Sequence, residues 1–382
     1  MKIEFRNITK QPPNRKILAE FKKNPPPFSD LPNHSFAEIS KFAQNQKHKQ
    51  ILLIGIGGSS LPARTLVEAL GKSEREFYFL ENVDPDQAQK IFAKINWRKV
   101  LVIVISKSGD TLETLANFFV VKKLLGKSWR KLTVFLTDAR KGFLGDLAKR
   151  EKVPVFEIPE TVGGRFSVFS AVGLLPAALA GVDLKKLLNG AQKTNPTQAL
   201  AFAQAQANEF RKGKNISVFC VYANALAALG QWYEQLLAES LGKNSRVGLT
   251  PSPAVGAIDQ HSKLQLWHDG PADKFFIFIG AQKFGEDFAI PNPPSEFGFL
   301  KNDSLAGILR AEFKATTKSL AEKKRSLAIF DFVKIAAGEL GELLQFWMLV
   351  VYFLAKLLKV NYANQPGVER GKVLARKKLS GN

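Results

Sequence analysis

Residues 101–114 read LVIVISKSGDTLET, an apolar run that ends in a loop carrying Ser106, Lys107, Ser108, Gly109, Asp110 and Thr111. A strand there, followed by a helix from Thr111, makes backbone N–H groups and the positive end of the helix converge on the loop. Ser106, Ser108 and Thr111 add neutral donors and Lys107 adds a cation; Asp110 is the one side chain in the loop that opposes an anion. Such a loop suits a phosphate monoester, with its strong acceptor oxygens and about two charges. The glycine-to-Gly-Lys-Ser spacing of a Walker loop is absent. Ser and Thr also cap helices, so this segment alone leaves a plain strand-to-helix turn equally open.

Other constellations follow along the chain. Gly55-Ile56-Gly57-Gly58-Ser59-Ser60 directly follows an apolar run and partly matches a dinucleotide fingerprint, with Ser60 at the third glycine position. Glu81 follows the next run, so hydride transfer to NAD stays open on spacing. The alternatives are close backbone approach to a single sugar phosphate, with Ser59 helping, or a tight turn that needs glycine. In TVGGRFS (161–167) Arg165 enters apolar sequence and needs an anionic or carbonyl partner. It suits negative charge developing on a substrate oxygen. Gln235 and Glu239 are four apart and stack on one helix face, while Glu239 and Lys243 have the spacing of an ordinary surface pair. His261 sits at a loop-to-helix start, and Gln365 and Lys372 follow a long apolar helix.

The elements that must position these groups read as α/β. Apolar runs at 51–56, 77–80, 100–105, 132–137 and 155–158 alternate with helical periodicity at 62–70, 85–95, 111–125 and 145–151. Continuous apolar strands alternating with helices predict a parallel sheet covered on both faces. A second set runs from 216–222 through a helix at 224–241 to a strand at 274–279, with a boundary expected near 181–195. Ligands of open α/β sheets sit beyond the carboxyl ends of strands, which points to the loops after Ile56 and Ile105. Residues 1–44, with Pro12-Pro13 and Pro25-Pro26-Pro27, read as an irregular or helical segment without long helices.

Composition narrows the chemistry. The 382 residues carry 55 Lys plus Arg against 34 Asp plus Glu, a net +21 that favours anionic ligands, although the cations are scattered rather than massed. One cysteine, Cys220, in an apolar run excludes a disulfide framework and reads as a small buried hydrophobe. The four histidines lack metal-ligand spacing, so no metal and no cofactor is expected. The N-terminus has no apolar signal core, and the apolar stretch 343–358 contains Gln345 and Lys356 and reads as a buried helix. These features predict a soluble, cytoplasmic protein that engages neither membrane nor nucleic acid.

Taken together, GGRFS, ESLGK closing a helix, DQHS and QPGVERGK, in that order with the loops at 55–59 and 106–114, resemble the glucose-6-phosphate isomerase family over about residues 45–372. The resemblance implies two sugar-isomerase (SIS-type) α/β/α sandwich domains with parallel-rich sheets, at 45–182 and 183–372. An irregular N-terminal segment precedes them, and a C-terminal helix and a basic tail at 373–382 complete the chain. It implies an active site between the domains, completed in a homodimer. Ser106, Lys107, Ser108 and Thr111 would cradle the phosphate, and Gly58, Ser59, Gln235 and Gln365 would contact the sugar. Glu239 would move a proton between C1 and C2, with Arg165 beside the enediolate. His261, donated across the interface and oriented by Glu113, would open the ring with Lys372. The substrates implied are glucose 6-phosphate and fructose 6-phosphate. Asp110 departs from the family's neutral or small residue, Lys263 from a more usual glutamine and Asn364 from a more usual aspartate. Three rival readings are a non-catalytic sugar-phosphate sensor on the same fold, an NAD-dependent dehydrogenase, and an isomerase that also takes mannose 6-phosphate.

Overall fold

Short runs of Ile, Val, Leu and Phe bounded by glycine or charged residues make strands rather than helices, because branched side chains pack well on a pleated surface. In the computed structural model, which describes residues 1–9 and 11–381, these runs are β1 (Ile3–Arg6), β2 (Gln50–Ile54), β3 (Glu76–Leu80), β4 (Val100–Ile105), β5 (Thr133–Thr137), β6 (Val155–Glu157), β7 (Ile216–Val221), β8 (Thr250–Val255), β9 (Lys274–Ala281) and β10 (Ser326–Phe332). The chain divides into two compact units, one of residues 25–193 with 336–341, the other of residues 1–24, 194–335 and 342–382.

The unit of residues 25–193 holds a sheet of order β3-β2-β4-β5-β6, parallel throughout. All six residues of the central β4 are buried, as covered parallel sheets require. Helices Leu61–Leu70, Pro85–Phe92, Leu112–Leu125 and Gly142–Glu151 connect the strands. From Leu112–Leu125, Phe118 and Val121 enter the core, where Phe118 meets Phe135 edge to face at 5.3 Å. The helix Leu184–Gln192 belongs to this unit, so the break after residue 193 falls within the expected range 181–195 but past the bound of 182.

The second unit holds a sheet of order β1-β10-β9-β7-β8, parallel except for β1, which runs antiparallel to β10. The helix Ala337–Leu357 is long and apolar enough to cross a membrane, yet 83% of its apolar window is buried inside the protein. Its Trp347 edges against Phe202, Tyr233 and Phe219 at 5.1, 5.1 and 5.3 Å, so it is a core helix. Cys220 lies in this unit's apolar core, as expected.

The first 44 residues hold only short helices, together with one strand. They contain β1 and two nine-residue helices, Arg15–Lys23 and Ala37–Asn45, and they divide between the units at residue 24. The prolines punctuate without preventing this: Pro12-Pro13 precedes the first helix, whose cap is Asn14, and Pro25-Pro26-Pro27 follows its end. The basic tail is helical too, within Glu369–Leu379.

Candidate active site

The strand β4 ends at Ile105 and the helix Leu112–Leu125 starts soon after it, so the loop between them lies at the carboxyl edge of the sheet. Ser106 Oγ and Thr111 Oγ1 are 2.8 Å apart, and the Thr111 N–H leans on Ser106 Oγ at 3.4 Å. The Gly109 N–H closes the turn on Ser106 O at 3.1 Å, and the Asp110 N–H donates to Ser108 Oγ at 3.2 Å. The result is a hydroxyl-lined turn in front of a helix N-terminus, a geometry fit for an anion. Ser106 is buried and Ser108 exposed, so the donors grade from floor to mouth.

Gly109, at φ +76°, meets Gly142, at φ +78°, across this loop. A Cβ on Gly142 would lie 2.0 Å from Ser108 O, so only glycine allows the approach. Asp110, the expected misfit, offers one carboxylate oxygen to the Phe143 N–H at 2.9 Å, at the start of helix Gly142–Glu151. Lys107 places its ammonium 2.7 Å from Glu160 O. Burial, and then the nearby Lys141, hold its pKa below that of an ordinary lysine.

The glycine loop after β2 forms the turn Gly57–Ser59, and GGRFS forms the turn Gly164–Phe166. They touch: a Cβ on Gly58 would sit 2.5 Å from Gly164 C and 2.9 Å from Arg165 N. Ser167 Oγ lies 3.4 Å from Gly58 O and donates to Gly164 O at 2.7 Å. Arg165 is buried, its guanidinium 5.5 Å over the Phe166 ring, which itself stacks on Phe28 at 4.5 Å. Packing therefore fixes the arginine in place. Ser59, on the first of the two turns, is half-buried.

Ser60 donates to Glu81 at 2.5 Å, and Arg64 pairs with the other oxygen at 3.0 Å. The carboxylate that a ribose hydroxyl would need is thus already engaged, which speaks against the dinucleotide reading.

In the second unit the helix Ala227–Leu241 brings Gln235 Nε2 to Glu239 Oε1 at 2.9 Å. Both side chains are half-buried. The Lys243 ammonium bonds to Glu239 O at 2.5 Å and to Asn364 O, tying the helix end to the segment before Gln365. His261 opens the helix Gln260–Asp269 and is exposed. That helix start is pinned by Tyr222 Oη to Gln260 Oε1 at 3.0 Å, Gln260 Nε2 to Thr316 Oγ1 at 2.8 Å, and the Val255 N–H to Asp259 Oδ2 at 2.7 Å. Lys263, the unusual residue of this segment, pairs with Asp259 at 3.2 Å and donates to Pro253 O at 3.0 Å. Gln365 precedes the turn Pro366–Val368, and Lys372 lies exposed on Glu369–Leu379, where it pairs with Glu369 at 2.8 Å. Glu113 occupies the first turn of Leu112–Leu125.

Sequence reasoning passed over one group at the phosphate loop. Asp138, buried at the end of β5, takes Arg140 at 3.3 Å and Lys141 at 3.5 Å, and its N–H donates to Lys107 O at 3.3 Å. The available signal was Asp138-Ala-Arg140-Lys141 after a strand end.

Residues 40–283 match the family model of Phosphoglucose isomerase. The chain is 38% identical over 371 residues to a glucose-6-phosphate isomerase of Thermus thermophilus, spanning 92% of this chain and 90% of that protein. It is 37% identical to the corresponding enzyme of Carboxydothermus hydrogenoformans, over 90% of this chain and 82% of that one. The crystal structure of a hypothetical protein from Thermus thermophilus superposes with a TM-score of 0.88 at 36% identity, covering 96% of this chain and 93% of that one. A glucose-6-phosphate isomerase structure from Chlamydia trachomatis shares the fold, with a TM-score of 0.76 at 23% identity over 90% of this chain and 72% of that one. With most of its length matched at this level, the chain belongs to the phosphoglucose isomerase family.

Proposed function

We propose that this protein interconverts glucose 6-phosphate and fructose 6-phosphate by ring opening and proton transfer between C1 and C2. The observation that carries the reading is the Gln235–Glu239 pair at 2.9 Å, an oriented carboxylate in a chain that matches glucose-6-phosphate isomerases over 92% of its length. Interconverting an aldose and a ketose means removing a weakly acidic C–H next to a carbonyl. A half-buried, amide-oriented carboxylate can do this.

Ser106, Ser108, Thr111 and Lys107 hold the phosphate, and Gly58, Ser59, Gln235 and Gln365 hold the sugar. Lys372 and His261 open the ring: one group gives a proton to the ring oxygen while the other takes the C1 hydroxyl proton. Glu239 then removes the proton from one of C1 and C2 and returns it to the other. Negative charge builds on the oxygens of the enediolate between these steps. Arg165 stays charged at any working pH and stabilises it. Every proton taken is returned, so the reaction balances with no external oxidant or reductant.

The working unit is a homodimer, in which His261 of the partner subunit is oriented by Glu113. Exposed apolar side chains flank both helices concerned: Ile258 and Leu266 near His261, and Leu112, Phe119, Val120 and Leu124 on the helix of Glu113. A monomer rarely leaves such faces open. The protein acts in the cytoplasm, where its substrates are made and used. Turnover of fructose 6-phosphate in an assay coupled to glucose 6-phosphate oxidation tests the reading, and affinity for fructose 6-phosphate without turnover would return it to a sugar-phosphate sensor.

A further inference from the structure

The sheet that carries Ser106 at its carboxyl edge gathers charge at its amino edge as well. A groove of about 740 Å³ there is lined by Lys47, Lys49, Arg98 and Lys99, with His48 between the first two. Two of these cations flank adjoining strand starts. β2 pairs with β4 so that Gln50 lies beside Val100. The residues one step earlier, Lys49 and Lys99, lie just before these two adjoining strand starts, and both are exposed. None of the four cations takes part in an ion pair among the described residues.

Two carboxylates, Glu74 and Glu76, also line the groove, leaving them outnumbered by the four cations. Glu76 already accepts from the Gln50 amide at 2.9 Å and the Tyr78 hydroxyl at 2.8 Å. The polar floor is satisfied within itself: Gln50 Nε2 also donates to Lys94 O at 3.0 Å, Gln50 Oε1 takes the Asn96 N–H at 2.7 Å, and Asn96 Oδ1 takes the Arg98 N–H at 3.1 Å. His48 is held by Gln46 at 3.1 Å, and its carbonyl by Arg75 at 3.0 Å. The binding capacity left over is cationic.

We propose that this groove binds a chain of phosphates, either free tripolyphosphate or the tail of a nucleoside triphosphate. A monoester is best held by converging backbone N–H groups, as at Ser106–Thr111. The groove presents long side chains ending in charge, which suit several charges spread along a chain. The six residues of β4 separate Lys99 from Ser106, a span of roughly 20 Å. A ligand in the groove therefore leaves the hydroxyl-lined loop open.

Titration calorimetry of the full chain with tripolyphosphate at low salt is the test. Saturable binding is expected, weakened about tenfold or more in Lys49→Gln/Lys99→Gln and by raised salt. It should persist with saturating fructose 6-phosphate and in Ser106→Ala, and the double variant should keep its turnover. Tighter binding of a nucleoside triphosphate than of tripolyphosphate assigns the groove to nucleotides; equal binding assigns it to the phosphate chain alone. Both lysines are exposed, so the double substitution should fold, and the exposed pair Lys47→Gln/Arg98→Gln offers an independent variant with the same expectation. Undiminished binding in both pairs, displacement by fructose 6-phosphate, or no binding at millimolar tripolyphosphate would overturn the proposal.

Discussion

Asp110 and Phe143, 33 residues apart, are joined by a hydrogen bond of 2.9 Å from the Phe143 N–H to the Asp110 carboxylate. An acid that looks misplaced in a phosphate loop thereby serves the N-terminus of the helix Gly142–Glu151, where negative charge is favourable. Beside it, the Leu144 N–H donates to Gly109 O at 3.3 Å, so the loop is laced to that helix at two points.

Asp110→Ala should loosen the loop. Losing a capping acceptor costs about 1 kcal/mol, which corresponds to a rise of about fivefold in KM for fructose 6-phosphate with kcat nearly unchanged. Asp110→Asn keeps an acceptor oxygen and should restore KM. Steady-state kinetics on both variants checks this, and equal KM values for Ala and Asn would show that the bond to Phe143 is irrelevant.

Gly58→Ala tests the contact between the two glycine turns. The new Cβ meets backbone atoms, Gly164 C at 2.5 Å and Arg165 N at 2.9 Å, which cannot swing aside as a side chain would. A loss of about 1–3 kcal/mol in denaturant unfolding is expected. Because the displaced backbone carries Arg165, kcat should fall as well. A variant with wild-type stability and turnover would mean that the turns move apart freely.

Lys107 should set an alkaline limit on substrate binding. Burial, and then Lys141, lower its pKa from 10.5, so it loses its charge at lower pH than an ordinary lysine. In the proposed site the ammonium form holds the phosphate, so KM for fructose 6-phosphate should rise as pH climbs through that lowered value. For stability the sign is opposite: the folded chain releases this proton more readily than the unfolded chain, so between the lowered value and 10.5 this group makes the fold more stable as pH rises. Lys107→Arg should move the alkaline limb of the KM profile upward, and a profile identical to wild type would remove Lys107 from the phosphate grip.

The first sheet was largely legible, because β2, β4 and β5 are unbroken apolar runs that only a covered parallel sheet can hold. The edge β8 was not. Its sequence TPSPAV carries Pro251 and Pro253, which argue against a strand. Thr250 donates to Asn215 O, so by the alternation of strands the prolines fall where an N–H would face the open edge, and among the described residues β8 pairs only with β7. β1, whose four residues IEFR alternate apolar and polar, is too short for that alternation to stand out. In the site, the hydroxyls, glycines and Glu239 stood out by residue type. The partners of Asp110, Glu81 and Lys107 did not, since Phe143, Arg64 and Glu160 reach them only through the folded sheet.

The most direct measurement is solvent-deuterium exchange catalysed by Glu239→Gln. The substitution keeps size and hydrogen bonding but removes the proposed base, so kcat should fall about 10³-fold. In heavy water the wild-type enzyme should put deuterium at C2 of the glucose 6-phosphate formed, and the variant should lose this in step with turnover while still binding fructose 6-phosphate. Deuterium entering C2 at the wild-type rate in Glu239→Gln would contradict the assignment of the proton to Glu239.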